Sequence, residues 1–311
     1  MKFETNIQNH TTPLPGSIPK TIHYKLSVKL RNEGLTILEL YSNSFPKVDQ
    51  QVWADKIENG LLTVNGQKCK PNLILKAGWL TENIAHNKTE PTVSNDLKLI
   101  YEDDTIIVIN KPSPLPMHPS GRFNRNTLTN FLKLAIPNQT LRIVHRLDAN
   151  TTGVIILAKD SKIAAHLSTQ FQNNTVKKEY LALVEGLIEK DTLVVCEKIS
   201  KTKTASGGRE VNQDGLDSET KLTVLERNLE NNTTLLKVEP KNGRTNQIRL
   251  HLASINHPIV GDLGYKDPTY FENNPLTYPE DTLFLHAHKI KISINSIDTQ
   301  FIAEIPKKYL E

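Results

Sequence analysis

The stretch HRLDANTTGVIILAK, residues 145–159, governs how the rest of the chain is read. Its second half, VIILA, is a short continuous apolar run of the kind that forms a strand buried on both faces, and it is too short to cross a bilayer. Its first half sets the His145-Arg146 pair and Asp148 beside Asn150, Thr151, Thr152 and Gly153, small polar residues that suit a turn. On the residues alone, two readings of Asp148 stand side by side. It is a turn former whose neighbour Arg146 makes an exposed ion pair of little worth, or it is a carboxylate that a loop presents from the end of a buried strand.

Working outward, DTIIVINKP (104–112) reads as a buried strand stopped by Lys111-Pro112, and TLTNFLKLAI (127–136) as a short helix opened by a Thr cap. DSKIAAHLSTQFQNN (160–174) is a helix with Asp160 or Ser161 as cap and Ile163, Leu167 and Phe171 recurring every four residues. Strands are expected at YLALVEG (180–186), TLVVCEK (192–198), TKLTVLER (220–227) and TTLLKVEP (233–240), then a helix at TNQIRLHLAS (245–254). TLFLHA (282–287) and KIKISI (289–294) close the domain, the second alternating apolar and polar residues as a half-exposed strand does. Mostly antiparallel strands with a few helices make the fold class α+β.

The polar stretch AHNKTEPTVSND (85–96) suggests a boundary, dividing the chain into a module over 1–95 and a larger domain over 96–311. In the module, LTILELYSNSF (35–45) and QQVWADKIENG (50–60) read as two short helices. LLTVNGQ (61–67) then enters an Asn65-Gly66 turn that leads to LILKAGWL (73–80), giving a helix-helix-hairpin unit.

Composition bounds the class of protein. Hydrophobic residues at 37% and charged residues at 23% of 311 describe an ordinary globular chain rather than a disordered one. Residues 1–16 lack the apolar stretch of a secretory signal, so a cytoplasmic protein is expected. Cys69 and Cys196 stand far apart in no Cys-x-x-Cys pattern, which argues against a disulfide framework or a thiolate zinc site. The net charge of +4 permits a polyanionic partner without demanding one.

Two further patches carry candidate chemistry. In NGRTNQIRLHL (242–252), Ile248 and Leu252 face the core while Gln247 and Arg249 flank the apolar stripe. Arg249 either snorkels at the surface or reaches a carboxylate or phosphate that its planar guanidinium matches. In KKEYLALV (177–184), Tyr180 is half-buried packing or a platform for a flat base. His286-Ala287-His288 turns two rings to one strand face without a third ligand, so no metal is expected there. Glycine-rich phosphate loops and the Gly-x-Ser-x-Gly elbow are absent, which removes the commoner nucleotide and hydrolase sites.

Taken together, the patches resemble the RluA-type pseudouridine synthases from about Leu99 onward. His145-Arg146-Leu147-Asp148 with Thr151-Thr152-Gly153 is similar to that family's catalytic motif. VINKPSPLPMHP (108–119) resembles its first motif, KKEYLALVEG (177–186) its tyrosine-bearing strand, GRTNQIRLHLASINHPIVGDLGY (243–265) its arginine-bearing helix and loop, and LFLHA (283–287) its closing strand. Pro114, Thr152 and Asn246 stand where the family has Gly, Ser and His. The module resembles, in DKIENGLLTVNGQ and KPNLILKAGWL, the S-four RNA-binding module, though basic residues in its first helices are sparse.

The resemblance implies isomerisation of uridine to pseudouridine in structured RNA, with large-subunit ribosomal RNA favoured over transfer RNA, no cofactor, no metal, no membrane and a monomeric state. It makes Asp148 the reacting carboxylate, Arg249 its partner, and Tyr180 a stacking group that assists deprotonation at carbon 5 of the base. It places Arg146, His145, Thr152, Ile259, Gln247, Lys111 and His118 at the substrate, with Ile259 lining the base pocket. A catalytically silent RNA-binding protein is the first rival, and the joint presence of Asp148, Tyr180 and Arg249 argues against it. A glycoside-type hydrolase is the second, and it calls for a second carboxylate that the Asp148 motif lacks.

Overall fold

The structure, a computed structural model, describes residues 2–202, 204, 208–267 and 283–309. The chain divides into a unit of residues 17–89 and a larger unit made from residues 1–16 and 90–311. The boundary expected at residue 95 is thus replaced by two crossings, because the first helix, α1 (Phe3–Thr11), packs into the larger unit against α4 (Leu128–Ala135). Within the larger unit the two crossings are pinned together. The Glu90 N–H donates to the Gly16 carbonyl at 2.9 Å. Burial pushes the Glu90 carboxyl upward, but the backbone N–H groups of Asn124, Arg125 and Asn126 and the Arg125 guanidinium outweigh it and hold the group low.

The smaller unit holds β1 (Lys20–Ser27), α2 (Ile37–Ser44), α3 (Gln50–Glu58), β2 (Leu62–Val64) and β3 (Leu80–Lys88), with the strands in the order β1-β3-β2. The Thr36-to-Glu39 capping box starts α2, and Trp53, Ile57, Leu40 and Tyr41 close its core over Leu62 and Val64. Residues 73–79 are not the second hairpin strand. The partner of β2 is β3, which occupies part of the stretch expected to be a linker. Only Thr81 and Ala85 of β3 are buried, so its hydrophobic alternation is too sparse to show in the sequence.

The larger unit is built on one mixed sheet of ten described strands, ordered β4 (Lys98–Glu102), β5 (Ile106–Lys111), β7 (Thr152–Ala158), β12 (Leu285–Ile294), β8 (Lys177–Glu185), β11 (Thr233–Pro240), β10 (Thr220–Asn228), β9 (Thr192–Val195). The short β6 (Arg142–Ile143) pairs with β7, and β13 (Ile297–Ile302) with β12. Every pairing is antiparallel except β7 with β12. The expected strands over 282–287 and 289–294 are largely one strand, bent by an irregularity in its pairing with β8 between His286 and Lys289.

The continuous apolar run of β7 reflects burial on both faces. Ile155 and Leu157 join a core with α1 and α4, while Val154, Ile156 and Ala158 join one beneath α5 (Ser161–Gln172). Asp160 caps α5 through the N–H groups of Lys162 and Ile163. A third core, under α6 (Gln247–Ser254), gathers Ile248, Leu252, Val238, Leu285 and Ile259.

Candidate active site

Asp148 lies on the loop between β6 and β7, so the strand with the deepest burial in the sheet anchors it. The loop is tied down from three sides. His145 Nε2 accepts the Ile156 N–H at 3.0 Å, and its ring stacks on Phe171 with centroids 4.5 Å apart. The Leu115 N–H donates to the Ala149 carbonyl at 2.9 Å. Lys111 Nζ, fully buried, donates to the carbonyls of Pro112, Leu115 and Ala149 at 2.8, 2.9 and 3.0 Å. Thr151 N–H closes the turn on the Asp148 carbonyl at 3.1 Å.

The last residue of the motif, Gly153, has φ +118° and lies so close to β12 that a Cβ would collide with the Ala287 backbone. Glycine is what lets β7 and β12 run parallel there, with Thr152 opposite His286 and Gly153 opposite Ala287. Thr152 Oγ1 and His286 Nδ1 share a hydrogen bond of 2.8 Å in that seam.

Arg249 reaches Asp148 from α6, the helix that starts at Asn246 in the left-handed region at φ 57°. Asparagine tolerates that backbone, which suits it to the position where the resembled motif carries His. Arg249 Nη1 donates to Asp148 Oδ2 at 3.4 Å. Its tighter partner is Asp262, whose Oδ2 and Oδ1 accept from Nε and Nη2 at 2.7 Å each. Tyr265 lies under the guanidinium, 4.9 Å from ring centroid to Cζ, and its hydroxyl accepts from Asn246 Nδ2 at 3.0 Å. Burial works against the Arg249 charge, yet Asp262 first and Asp148 next more than compensate and hold its pKa above the ordinary value. Tyr180, on β8, has its phenol raised well above the usual range by burial and then by the charge of Asp148. It is a protonated O–H at neutral pH, so any part in deprotonation is as a relay and not as a preformed base.

These groups meet at a cavity of about 440 Å³ whose lining includes Asp148, Tyr180, Arg249, Arg146, Lys178 and Arg244. Asp148 is the one carboxylate in the described lining, against four cationic side chains. Burial lowers the His145 imidazole to about 3, with the Lys178 charge adding to the effect, so His145 brings no positive charge to the cavity at neutral pH.

Of the residues expected at the substrate, Arg146, His145 and Gln247 line the cavity, and Arg146 is exposed there. Gln247 spends its amide on Glu219, Thr220 and the Arg244 N–H. Lys111, Thr152, Ile259 and His118 are outside the lining. Lys111 and Thr152 brace the loop and the strand seam, Ile259 is buried in the third core, and His118 is exposed elsewhere. Sequence reasoning missed Asp262, Tyr265 and Lys178. Each lies in a stretch quoted for the resemblance, and a carboxylate in the apolar HPIVGD was the one available signal, since a buried Asp needs a cationic partner. Among the described residues no three His, Cys, Asp or Glu side chains gather as metal ligands, and no helix is long and apolar enough to cross a membrane.

Comparison with known proteins bears on the family of the chain. A family model described as RNA pseudouridylate synthase matches residues 105–254, from β5 through α6. An RNA pseudouridine synthase of Aquifex aeolicus is 33% identical over 77% of this chain and 79% of its own length. The ribosomal large subunit pseudouridine synthase C of Haemophilus influenzae is 32% identical over 76% of each chain. The mitochondrial tRNA pseudouridine(32) synthase of Saccharomyces cerevisiae is 30% identical over 84% of this chain, which spans 57% of the yeast protein. Among solved structures, human RNA pseudouridylate synthase domain containing 1 superposes with a TM-score of 0.57 at 26% identity, covering 70% of this chain and 87% of that one. With the matched segment running from the strand beside β7 to the helix that carries Arg249, the chain belongs to the RluA-type RNA pseudouridine synthases.

Proposed function

We propose that this chain converts a uridine of large-subunit ribosomal RNA to pseudouridine, with Asp148, Arg249 and Tyr180 as the reacting and supporting groups. The cavity's charge carries the reading: four cations around a single carboxylate suit a polyanion that delivers one neutral base. The Haemophilus relative is named for large-subunit ribosomal RNA, and that name supports the choice of RNA. The yeast relative, named for transfer RNA, supports the second reading, a transfer-RNA uridine.

The reaction breaks the bond from C1′ to N1 of uracil and forms one from C1′ to C5. The C5 proton leaves to water and N1 gains one, so nothing is consumed. The uridine must leave its stack to enter the cavity. Arg249, held from behind by Asp262, steadies the Asp148 carboxylate and aims it at the sugar. Tyr180 offers a flat face to the base and an O–H donor to a uracil oxygen or to the carboxylate. Arg146, exposed at the rim, meets the displaced nucleotide or its phosphate.

Cellular RNA tritiated at uracil C5 tests this. The protein should release label to water with no added cofactor, and Asp148→Asn should abolish release while RNA binding persists. Undiminished release from that variant would remove Asp148 from the mechanism. Mapping pseudouridines in cells that lack the protein distinguishes the two RNAs, since one ribosomal or one transfer-RNA position should revert to uridine.

A further inference from the structure

Lys178 is a cation that the mechanism above leaves unused. It sits two residues before Tyr180 on β8, and both line the cavity. Strand geometry separates the two positions by about 6.7 Å along the same face of the sheet. The residue between them, Glu179, faces away and pairs with Lys289 at 3.1 Å. The Lys178 ammonium donates to the Asn242 carbonyl at 2.6 Å. Unlike Arg249, it has no carboxylate within ion-pair distance among the described residues, and burial lowers its pKa to about 8 with no opposing charge. Apart from Asp148, the described lining of the cavity carries no carboxylate.

A partly buried ammonium on one carbonyl is costly, and the protein keeps it on the wall of a cavity. An anion arriving with the substrate would repay that cost. Asp148 and Tyr180 mark where the sugar and base lie, and Lys178 stands one strand repeat away from Tyr180, displaced along the chain and not stacked over the ring. Building on the function proposed above, we infer that Lys178 is a substrate-binding residue that contacts a backbone phosphodiester next to the target uridine. The loop through Asn242 and Gly243 holds the ammonium in place while leaving its remaining protons to donate. Arg244, on the same loop, donates from Nε to the Asp217 carbonyl at 3.3 Å.

The test measures steady-state tritium release from uracil-C5-tritiated cellular RNA over a series of KCl concentrations for wild type, Lys178→Gln and Lys178→Arg. A lost phosphate contact removes about 0.7 from the slope of log affinity against log salt, the value for single strands. Lys178→Gln should raise KM about tenfold at low salt, flatten the salt slope of kcat/KM by about that 0.7, and place its loss in KM more than in kcat. Lys178→Arg should restore the slope. A Lys178→Gln slope equal to wild type, or a loss confined to kcat, overturns the phosphate contact. Should Lys178→Gln not fold, amine acetylation of the wild-type protein decides the same point: excess cellular RNA should protect Lys178, and labelling that RNA leaves unchanged overturns the inference. A wild-type protein that releases no tritium from any RNA would instead sink the function proposed above, so the two failures are distinguishable.

Discussion

Asp148 owes part of its position to residues that never touch it. Arg249 is the nearest of its partners, and Arg249 is itself oriented by two short bonds to buried Asp262 and by the face of Tyr265. Replacing Asp262 by Asn keeps one acceptor and removes the charge, which lets the guanidinium swing. Misplacement on the order of 1 Å costs about a hundredfold in rate, so D262N should lower kcat ten- to a hundredfold while KM changes little, as single-turnover tritium release would show. A KM effect alone would mean that Asp262 serves binding and not the orientation of Arg249. The candidate site was partly legible at this scale. Asp148, Tyr180 and Arg249 stand out in the sequence because each sits in an ordered motif, and the fold brings all three to one cavity. His118, Ile259, Thr152 and Lys111 were placed at the substrate because a motif does not say which of its members face the cavity and which hold the loop. Burial decides that, and burial of an ammonium such as that of Lys111 depends on three carbonyls that come together only in the fold.

Among the elements, the seam between β7 and β12 is where the sequence pattern and the tertiary constraint meet. Gly153→Ala puts a Cβ into the Ala287 backbone at a φ that L-residues avoid, at a cost of at least about 2 kcal/mol. Urea unfolding should show a lower midpoint with an unchanged slope, and activity should fall with the displaced Asp148 loop. Two neutral histidines hold the same region, His145 on the Ile156 N–H and His286 on Thr152. Burial lowers them to about 3 and about 4. Unfolded histidines take up protons below about pH 6.5, while the folded ones resist until those lower values, so the unfolded state binds more protons and stability declines as pH falls through this window. Each can contribute up to about 1.4 kcal/mol per pH unit there. Denaturation midpoints at pH 7.5 and 5.5 should differ accordingly, and His145→Gln should shrink the difference. The strands and helices with strong periodicity were readable from sequence: β5, β7, α4 and α5 lie close to where their patterns put them. β1, β3, β4 and β13 were not, since each is largely exposed and gains its order from pairing with a neighbour remote in sequence or from the strand beside it.

For the molecule as a whole, charge and chain path point the same way. Residues 17–89 hold 10 Lys and Arg against 6 Asp and Glu, so the net +4 of the chain resides in the smaller unit. From that charge and the resemblance of the segment to the S-four module, we propose that the smaller unit contacts RNA. Because Gly16 and Glu90 are hydrogen-bonded neighbours, a short Gly-Ser linker can replace everything between them without disturbing α1 or its contact with α4. The shortened protein should remain folded and isomerise short RNA, while its affinity for cellular RNA drops and its salt dependence flattens. Equal affinity and slope would reduce the smaller unit to a structural appendage. The same path bears on synthesis. The Asn6 side chain bonds to the Ala135 carbonyl across 129 positions, so on the ribosome α1 leaves the exit tunnel well before its docking partner is made. At a translation speed of about 5–20 residues per second, that amphipathic segment waits for roughly 6 to 26 seconds, through the entire emergence of the intervening unit, with its apolar side exposed to whatever chaperone is nearest.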